Sequence, residues 1–167
     1  TTLDLYLQQR GELTRTFDEA SEKRMRRGRR LQSVILQEYG TEMDVEVLEP
    51  LRQYIHPVYP FCTATPDGIA LERHTGRRRL VEAKASSPHM YSLDPSDSKY
   101  GAEGTDWVPD DILFQAQQQM AVMDLDQCDV VVMFGVFLMR VYPVYRNDDL
   151  IDAIVVAEEE LSQRVID

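Results

Sequence analysis

Apolar and polar positions along the chain follow two periods, and these mark out its elements. Between Lys23 and Tyr39 the spacing of Leu31, Val34, Ile35 and Tyr39 is that of one helix face, and Gly40 stands at the expected C-cap. Glu42 to Tyr54 alternates loosely, as an extended stretch. His56-Pro57-Val58-Tyr59-Pro60 is turn-rich, and its two prolines exclude a regular helix. Asp67-Gly68 signals a turn before a strand over Ile69 to Arg73. His74-Thr75-Gly76-Arg77 then connects to a partner strand over Arg78 to Ala85.

Ser86 to Trp107 is rich in Ser, Pro, Gly and Asp and predicts a long loop, of the kind that in a compact domain is functional or mobile. Such a loop, directly after Lys84, is placed to close over a substrate; an ordinary surface loop is the alternative. A helix begins at Pro109-Asp110, with Asp110 and Asp111 near its positive end, and runs to about Asp124. Cys128 to Phe134 and Leu138 to Val144 read as adjacent strands central to a sheet. Asn147 or Asp148 caps a last amphipathic helix reaching about Val165.

Length bounds this to one domain over residues 1–167 with a single core. The start, Thr1-Thr2-Leu3-Asp4-Leu5, has neither the basic nor the apolar region of a signal peptide, so export is not expected. The longest apolar run, Val130 to Met139, is about half of a membrane span and is broken by Gly135, so no membrane partner is expected. Cys62 and Cys128 lie far apart without CxxC spacing and are expected to be free, partly buried thiols. His56, His74 and His89 lack zinc-ligand spacing and are expected in turns or on the surface.

A net charge of −11 argues against binding nucleic acid by global attraction. Local basic patches remain, at Lys23–Arg30 and at Arg77-Arg78-Arg79. Each reads first as a solvated helix face or a charged hairpin.

The chemistry-bearing segment is Pro66-Asp67-Gly68 with Leu80-Val81-Glu82-Ala83-Lys84. Alternate strand residues share a face, which puts Glu82 and Lys84 together about 6.6 Å apart along the strand. Val81, Ala83 and Ala85 take the other face, suited to burial against a helix. A surface ion pair would look the same, but the hairpin can return Asp67 beside Glu82. Two carboxylates converging with a lysine suit phosphodiester hydrolysis. Hard oxygen ligands hold Mg²⁺, and a second ion about 3.5–4 Å away would stabilise the leaving oxygen. Three roles are open to Lys84: orienting the attacking water, deprotonating it, or stabilising transition-state charge.

These segments, with the helix bearing Gln115-Ala116-Gln117-Gln118-Gln119-Met120, resemble the PD-(D/E)XK nuclease superfamily. Within it they resemble the YqaJ viral recombinase branch, the relatives of phage lambda exonuclease. The likeness takes in His56–Pro60 and Arg27-Gly28-Arg29-Arg30-Leu31, and so spans nearly the whole chain. It implies an α/β (α+β) fold with a restriction-endonuclease-like core, a mixed central sheet flanked by helices. It implies one or two Mg²⁺ or Mn²⁺ ions held by Asp67, Glu82 and the main-chain carbonyl of Ala83. Lys84 would be the catalytic lysine, and Gln115 the glutamine that positions water or lysine. It further implies 5′-to-3′ degradation of double-stranded DNA ends in recombination, often by a homotrimer, beside a single-strand annealing protein. The setting would be the cytoplasm of a bacterial host or a phage-infected cell. Inside such a nuclease, Arg26, Arg27 and Arg30 become candidate phosphate contacts.

Helical geometry divides the glutamines. At 100° per residue, Gln115 and Gln119 lie within about 40° of each other, whereas Gln117 is about 160° from Gln115. One site can face Gln115 and Gln119; Gln117 is expected to bond backbone or solvent.

The chain departs from the resemblance at two places. Gln32 stands where the first helix carries a metal-contacting glutamate in relatives. A Gly-Ser-rich segment that contributes to the 5′-phosphate site in relatives is not expected ahead of Thr1. The first departure allows a catalytically weakened DNA-binding or recombination scaffold; the second allows an endonuclease of the same superfamily.

Overall fold

The computed structural model describes residues 18–50, 52–87, 98–135 and 137–166. Asp18 opens the first helix, α1 (Glu19–Glu42), by accepting the Ser21 N–H at 2.6 Å. Four short or medium strands follow, β1 (Val45–Leu48), β2 (Tyr54–Ile55), β3 (Thr63–Ala64) and β4 (Gly68–Glu72), and then the long strand β5 (Arg78–Ser86). The chain continues as α2 (Asp110–Met123), β6 (Gln127–Phe134), β7 (Leu138–Tyr145) and α3 (Asp148–Ile166).

Five strands make one mixed sheet in the order β1-β4-β5-β6-β7, while β2 and β3 pair separately. Only β5 and β6 are parallel. A parallel pair needs a crossover, and α2 lies in that connection. Strand alternation then separates two cores. Val81 on β5 and Val131 on β6 face α1, packing with Ile35, Leu36, Tyr39 and Ala70. Leu80, Val130, Val132, Tyr142 and Val144 face the other way, against Ile112, Ala116 and Met120 of α2. This is the expected mixed sheet flanked by helices. Among the described residues no helix is long and apolar enough to cross a membrane.

Four expectations need correction. Leu31 and Val34 do not belong to the buried stripe of α1; they are 37% and 49% exposed. The buried face is centred between Ile35, Leu36 and Tyr39, and Leu31 and Val34 lie about 90° and 150° round from its middle. Gly40 is not a C-cap, because the helix continues to Glu42 and is capped by Met43. A Cβ on Gly40 would come within 3.2 Å of the Val45 carbonyl and of Val47, so glycine allows β1 to pass close over the helix.

β7 is an edge strand, not a central one. Pro143, opposite Asp129, cannot donate to a further neighbour and suits that edge. The Ser86–Trp107 passage is only partly a free loop. Residues 88–97 lie outside the described residues, but 98–107 dock on β7: Gly104 donates to the Val141 carbonyl at 3.1 Å, and buried Tyr100 packs on Phe134 and Tyr142. Asn147 caps the last helix as expected, accepting the Leu150 N–H at 3.1 Å.

Candidate active site

The β4–β5 hairpin builds the site. Its ladder begins at Gly68 opposite Val81, so β5 runs on alone past the start of β4. A Cβ on Gly68 would meet Leu36, Val47 and Val81 at 3.0–3.4 Å, and this close fit brings the preceding residue over β5. Asp67 there accepts the Ala83 main-chain N–H through Oδ2 at 2.9 Å. In a strand the N–H and C=O of one residue point to the same edge. The Ala83 carbonyl therefore points to the Asp67 side, beyond the last β4 partner.

Glu82 faces α2 and is 2% exposed. A buried carboxylate needs partners, and it has three. Lys84 Nζ and Gln115 Nε2 both donate to Oε1 at 2.7 Å, and Gln119 Nε2 donates to Oε2 at 2.8 Å. Gln115 also accepts from Lys84 Nζ through its Oε1 at 3.0 Å, which closes a triangle of ammonium, amide and carboxylate. Burial first, and then the neighbouring Glu82 charge, push the Asp67 carboxyl up to about 6, against the opposing pull of the Ala83 N–H and Lys84. Two carboxylates held this close repel, and a cation between them would relieve it.

The structure thus brings Asp67, Glu82, the Ala83 main chain, Lys84 and Gln115 together. It also supplies Gln119, whose position on the same helix face was legible from the 100° rule. Gln117 turns away, donating to the Tyr145 carbonyl at 2.8 Å and accepting the Asn147 N–H at 2.9 Å, as the helical angles predict. Gln32 is half-buried on α1 and makes no side-chain hydrogen bond to the group among the described residues.

Leu36 lies level with Gly68, whereas the C-terminal end of α1 leads to Val45, which pairs with Glu72 at the far end of β4. The helix therefore runs away from the Asp67 end. Arg26, Arg27 and Arg30 are exposed, and Arg30 precedes Leu36 by about 9 Å along the axis. They project past the Asp67 end of β4.

The other basic patch is divided. Arg79 is buried and structural, bonding Glu72 at 2.5 Å, Asp129 at 2.8 Å and the Tyr39 hydroxyl at 2.9 Å. Arg77 and Arg78 are exposed at the opposite end of β5. Both cysteines are free and buried, as expected. His56 Nδ1 accepts the N–H groups of Val58 and Tyr59 within a turn, His74 is exposed, and His89 lies outside the described residues.

The donor set available to a metal is two carboxylates and one carbonyl. Among the described residues no group of three or more acidic, histidine or cysteine side chains is placed to hold a metal ion. That set fits a small, hard divalent ion, which takes one or two carboxylates and keeps several waters.

A family model described as the YqaJ-like viral recombinase domain matches residues 1–126. This span includes every residue of the group. The crystal structure of an alkaline exonuclease (LHK-Exo) from Laribacter hongkongensis is similar with a TM-score of 0.70 and 22% identity, over 98% of this chain and 79% of that one. LHK-Exo in complex with dAMP gives a TM-score of 0.69 and 23% identity, with the same two coverages. At such identity the likeness is one of fold. No curated protein sequence matches the chain.

Proposed function

The chain belongs to the YqaJ-like viral recombinase domain family, and from that membership we propose that it is a metal-dependent nuclease that degrades the ends of double-stranded DNA during recombination. The observation that carries this reading is the convergence of Asp67, Glu82, Lys84 and Gln115 at the open end of β5. Its fold is that of a protein described as an alkaline exonuclease, which supports action at DNA ends.

Asp67, Glu82 and the Ala83 carbonyl would hold Mg²⁺ or Mn²⁺. When bound, the ion supplies charge neutralisation at the phosphate and a more acidic water. The chain's own groups do the rest. Lys84, whose Nζ is tied to Glu82 and Gln115, orients the attacking water or stabilises charge on the phosphate. Gln115 holds Lys84 on one side and Glu82 on the other, so both keep their aim as substrate enters. Arg26, Arg27 and Arg30, past the Asp67 end, would track the DNA backbone by contacts that carry no sequence information. Cleavage in the 5′-to-3′ direction, a homotrimeric ring and an annealing partner belong to the same proposal by family resemblance.

A second reading is favoured by the small donor set and by the position of Gln32. It is a DNA-binding recombination scaffold with weakened cleavage.

Incubation of linear and closed circular duplex DNA with Mg²⁺ separates these readings. Loss of linear DNA alone is the expected result. Nicked circles would indicate an endonuclease, and binding without cleavage would indicate the scaffold. Cleavage that survives both Asp67→Asn and Lys84→Ala would refute the site.

A further inference from the structure

Gln119 is 3% exposed and sits one helical turn beyond Gln115 on α2. Its Nε2 donates to Glu82 Oε2 at 2.8 Å. The other end of the same amide, Oε1, is buried and has no hydrogen-bond partner among the described residues. Reversing the amide would not help, because it would set an oxygen against the carboxylate oxygen, two acceptors facing each other. The carboxylate therefore fixes the orientation of Gln119 and leaves its acceptor open. An acceptor closed off from bulk water and lacking a donor is costly, and native structures seldom keep one.

Glu82 shows the complementary pattern. Each carboxylate oxygen has two lone-pair directions. Oε1 uses both, one for Lys84 Nζ and one for Gln115 Nε2, each at 2.7 Å. Oε2 accepts from Gln119, and the Asp67 carboxyl lies within hydrogen-bonding reach of the same carboxylate. A cation between the two carboxylates would therefore meet a Glu82 whose aim is set by Gln119 on one oxygen and by Lys84 and Gln115 on the other.

We propose that Gln119 is a positioning residue for a divalent cation. Its amide N–H fixes the aim of the Glu82 carboxylate, and its open Oε1 would take a hydrogen bond from a water that arrives with the ion. This inference rests on the reading of Asp67 and Glu82 as metal ligands, and it goes further in naming a residue that supports a ligand without touching the metal. The chemistry suits Mg²⁺ and Mn²⁺, which retain water and so bring donors with them. Partners of a metal ligand that stand behind it in this way change affinity by roughly 10–100-fold when lost.

The test is Mn²⁺ binding to the metal-free full chain, followed by the electron paramagnetic resonance signal of free Mn²⁺. Sites abolished by Asp67→Asn are the ones counted, which sets aside weak binding to the acidic surface. Wild type is expected to show such Asp67-dependent binding. Gln119→Met, which keeps the volume and removes both hydrogen-bonding ends, is expected to raise the Mn²⁺ Kd by about 10-fold or more, while the metal-free chain still melts cooperatively. A packing role alone would leave that Kd unmoved, and a value within twofold of wild type would overturn the proposal. Gln119→Asn, whose shorter amide cannot reach Glu82, is expected to raise the Kd likewise, and a Kd within twofold of wild type for this variant would overturn the proposal even if Gln119→Met failed to fold. No Asp67-dependent binding at all in wild type would refute the metal-ligand reading itself, and the inference with it.

Discussion

Asp67 reaches across the open end of the β4–β5 hairpin to accept the main-chain N–H of Ala83 at 2.9 Å. That bond orients one carboxylate while the residue before Ala83 on the strand, Glu82, presents the other. Asp67→Asn keeps an oxygen for Ala83 and removes only the charge. It should therefore leave the fold intact, and relieve the repulsion with Glu82, while lowering degradation of linear duplex DNA in Mg²⁺ by more than about 100-fold. Thermal melting together with a digestion time course checks both halves. An active Asp67→Asn protein would remove Asp67 from the proposed metal site.

The same pair sets a pH dependence. Burial and the Glu82 charge raise the Asp67 carboxyl to about 6 from the usual 3.8. The folded chain then holds this proton more tightly than the unfolded chain does. Its contribution to stability is full below about pH 4 and is lost as pH rises through about 6. The melting temperature of metal-free wild type, measured against Asp67→Asn, should accordingly fall across that window. Saturating Mg²⁺ should flatten the fall, and Mn²⁺ affinity should weaken below about pH 6, where proton and ion compete. A constant difference between the two proteins at every pH would contradict this assignment.

The glutamine helix separates site from scaffold. Gln117 is 1% exposed and ties the end of β7 to the start of α3, through the Tyr145 carbonyl and the Asn147 N–H. Gln117→Leu should cost about 1–3 kcal/mol of stability, because two main-chain groups lose their partner, with Mn²⁺ affinity unchanged. Gln115→Leu should do the reverse, sparing urea stability and lowering cleavage. If both variants lose stability and activity together, the division by helical angle is wrong.

Local geometry explains which of these features were legible in the chain. Glu82 and Lys84 share a face because a strand has a period of two, and Gln115 separates from Gln117 because a helix has a period of 3.6. Neither argument needs tertiary information. The buried face of α1 does need it. Leu31 and Val34 satisfy a helical period as well as Leu36 does, and only the sheet decides which neighbours go under. Gly40 was misread for the same reason, since its closeness to Val45 and Val47 is a contact between elements. Pro143 did carry a local sign of an edge strand, but the apolar run around it suggested a central one.

Arg79 shows how a run of like residues conceals two roles. Its guanidinium is 8% exposed and lies against Asp129, 3% exposed, and Glu72. Asp129 keeps the Tyr39 hydroxyl at 2.5 Å and Gln127 at 2.7 Å, but neither carries positive charge. Arg79→Met should destabilise the fold by about 3–5 kcal/mol, the usual cost of leaving a buried charge without its counter-ion. Chemical denaturation measures this directly. A loss of DNA binding at unchanged stability would instead return Arg79 to the basic surface.

The arginines that remain exposed can be told apart by salt. Arg26, Arg27 and Arg30 project past the Asp67 end, whereas Arg77 and Arg78 sit at the other end of β5, beside Glu72. Each phosphate contact on duplex DNA contributes about 0.9 to the slope of log affinity against log salt. Replacing Arg26, Arg27 and Arg30 together with serine should flatten that slope by about 2 to 3 and raise the KM for linear duplex, with kcat little changed because none of them touches Glu82 or Lys84. Replacing Arg77 and Arg78 should leave the slope where it was, although it removes nearly as much charge. Measuring affinity across a salt series for the two variants decides the matter. Equal flattening by both would mean that total charge is felt and α1 is no track for the backbone; flattening by the hairpin variant alone would place the DNA at the wrong end of the sheet for Asp67 to act on it.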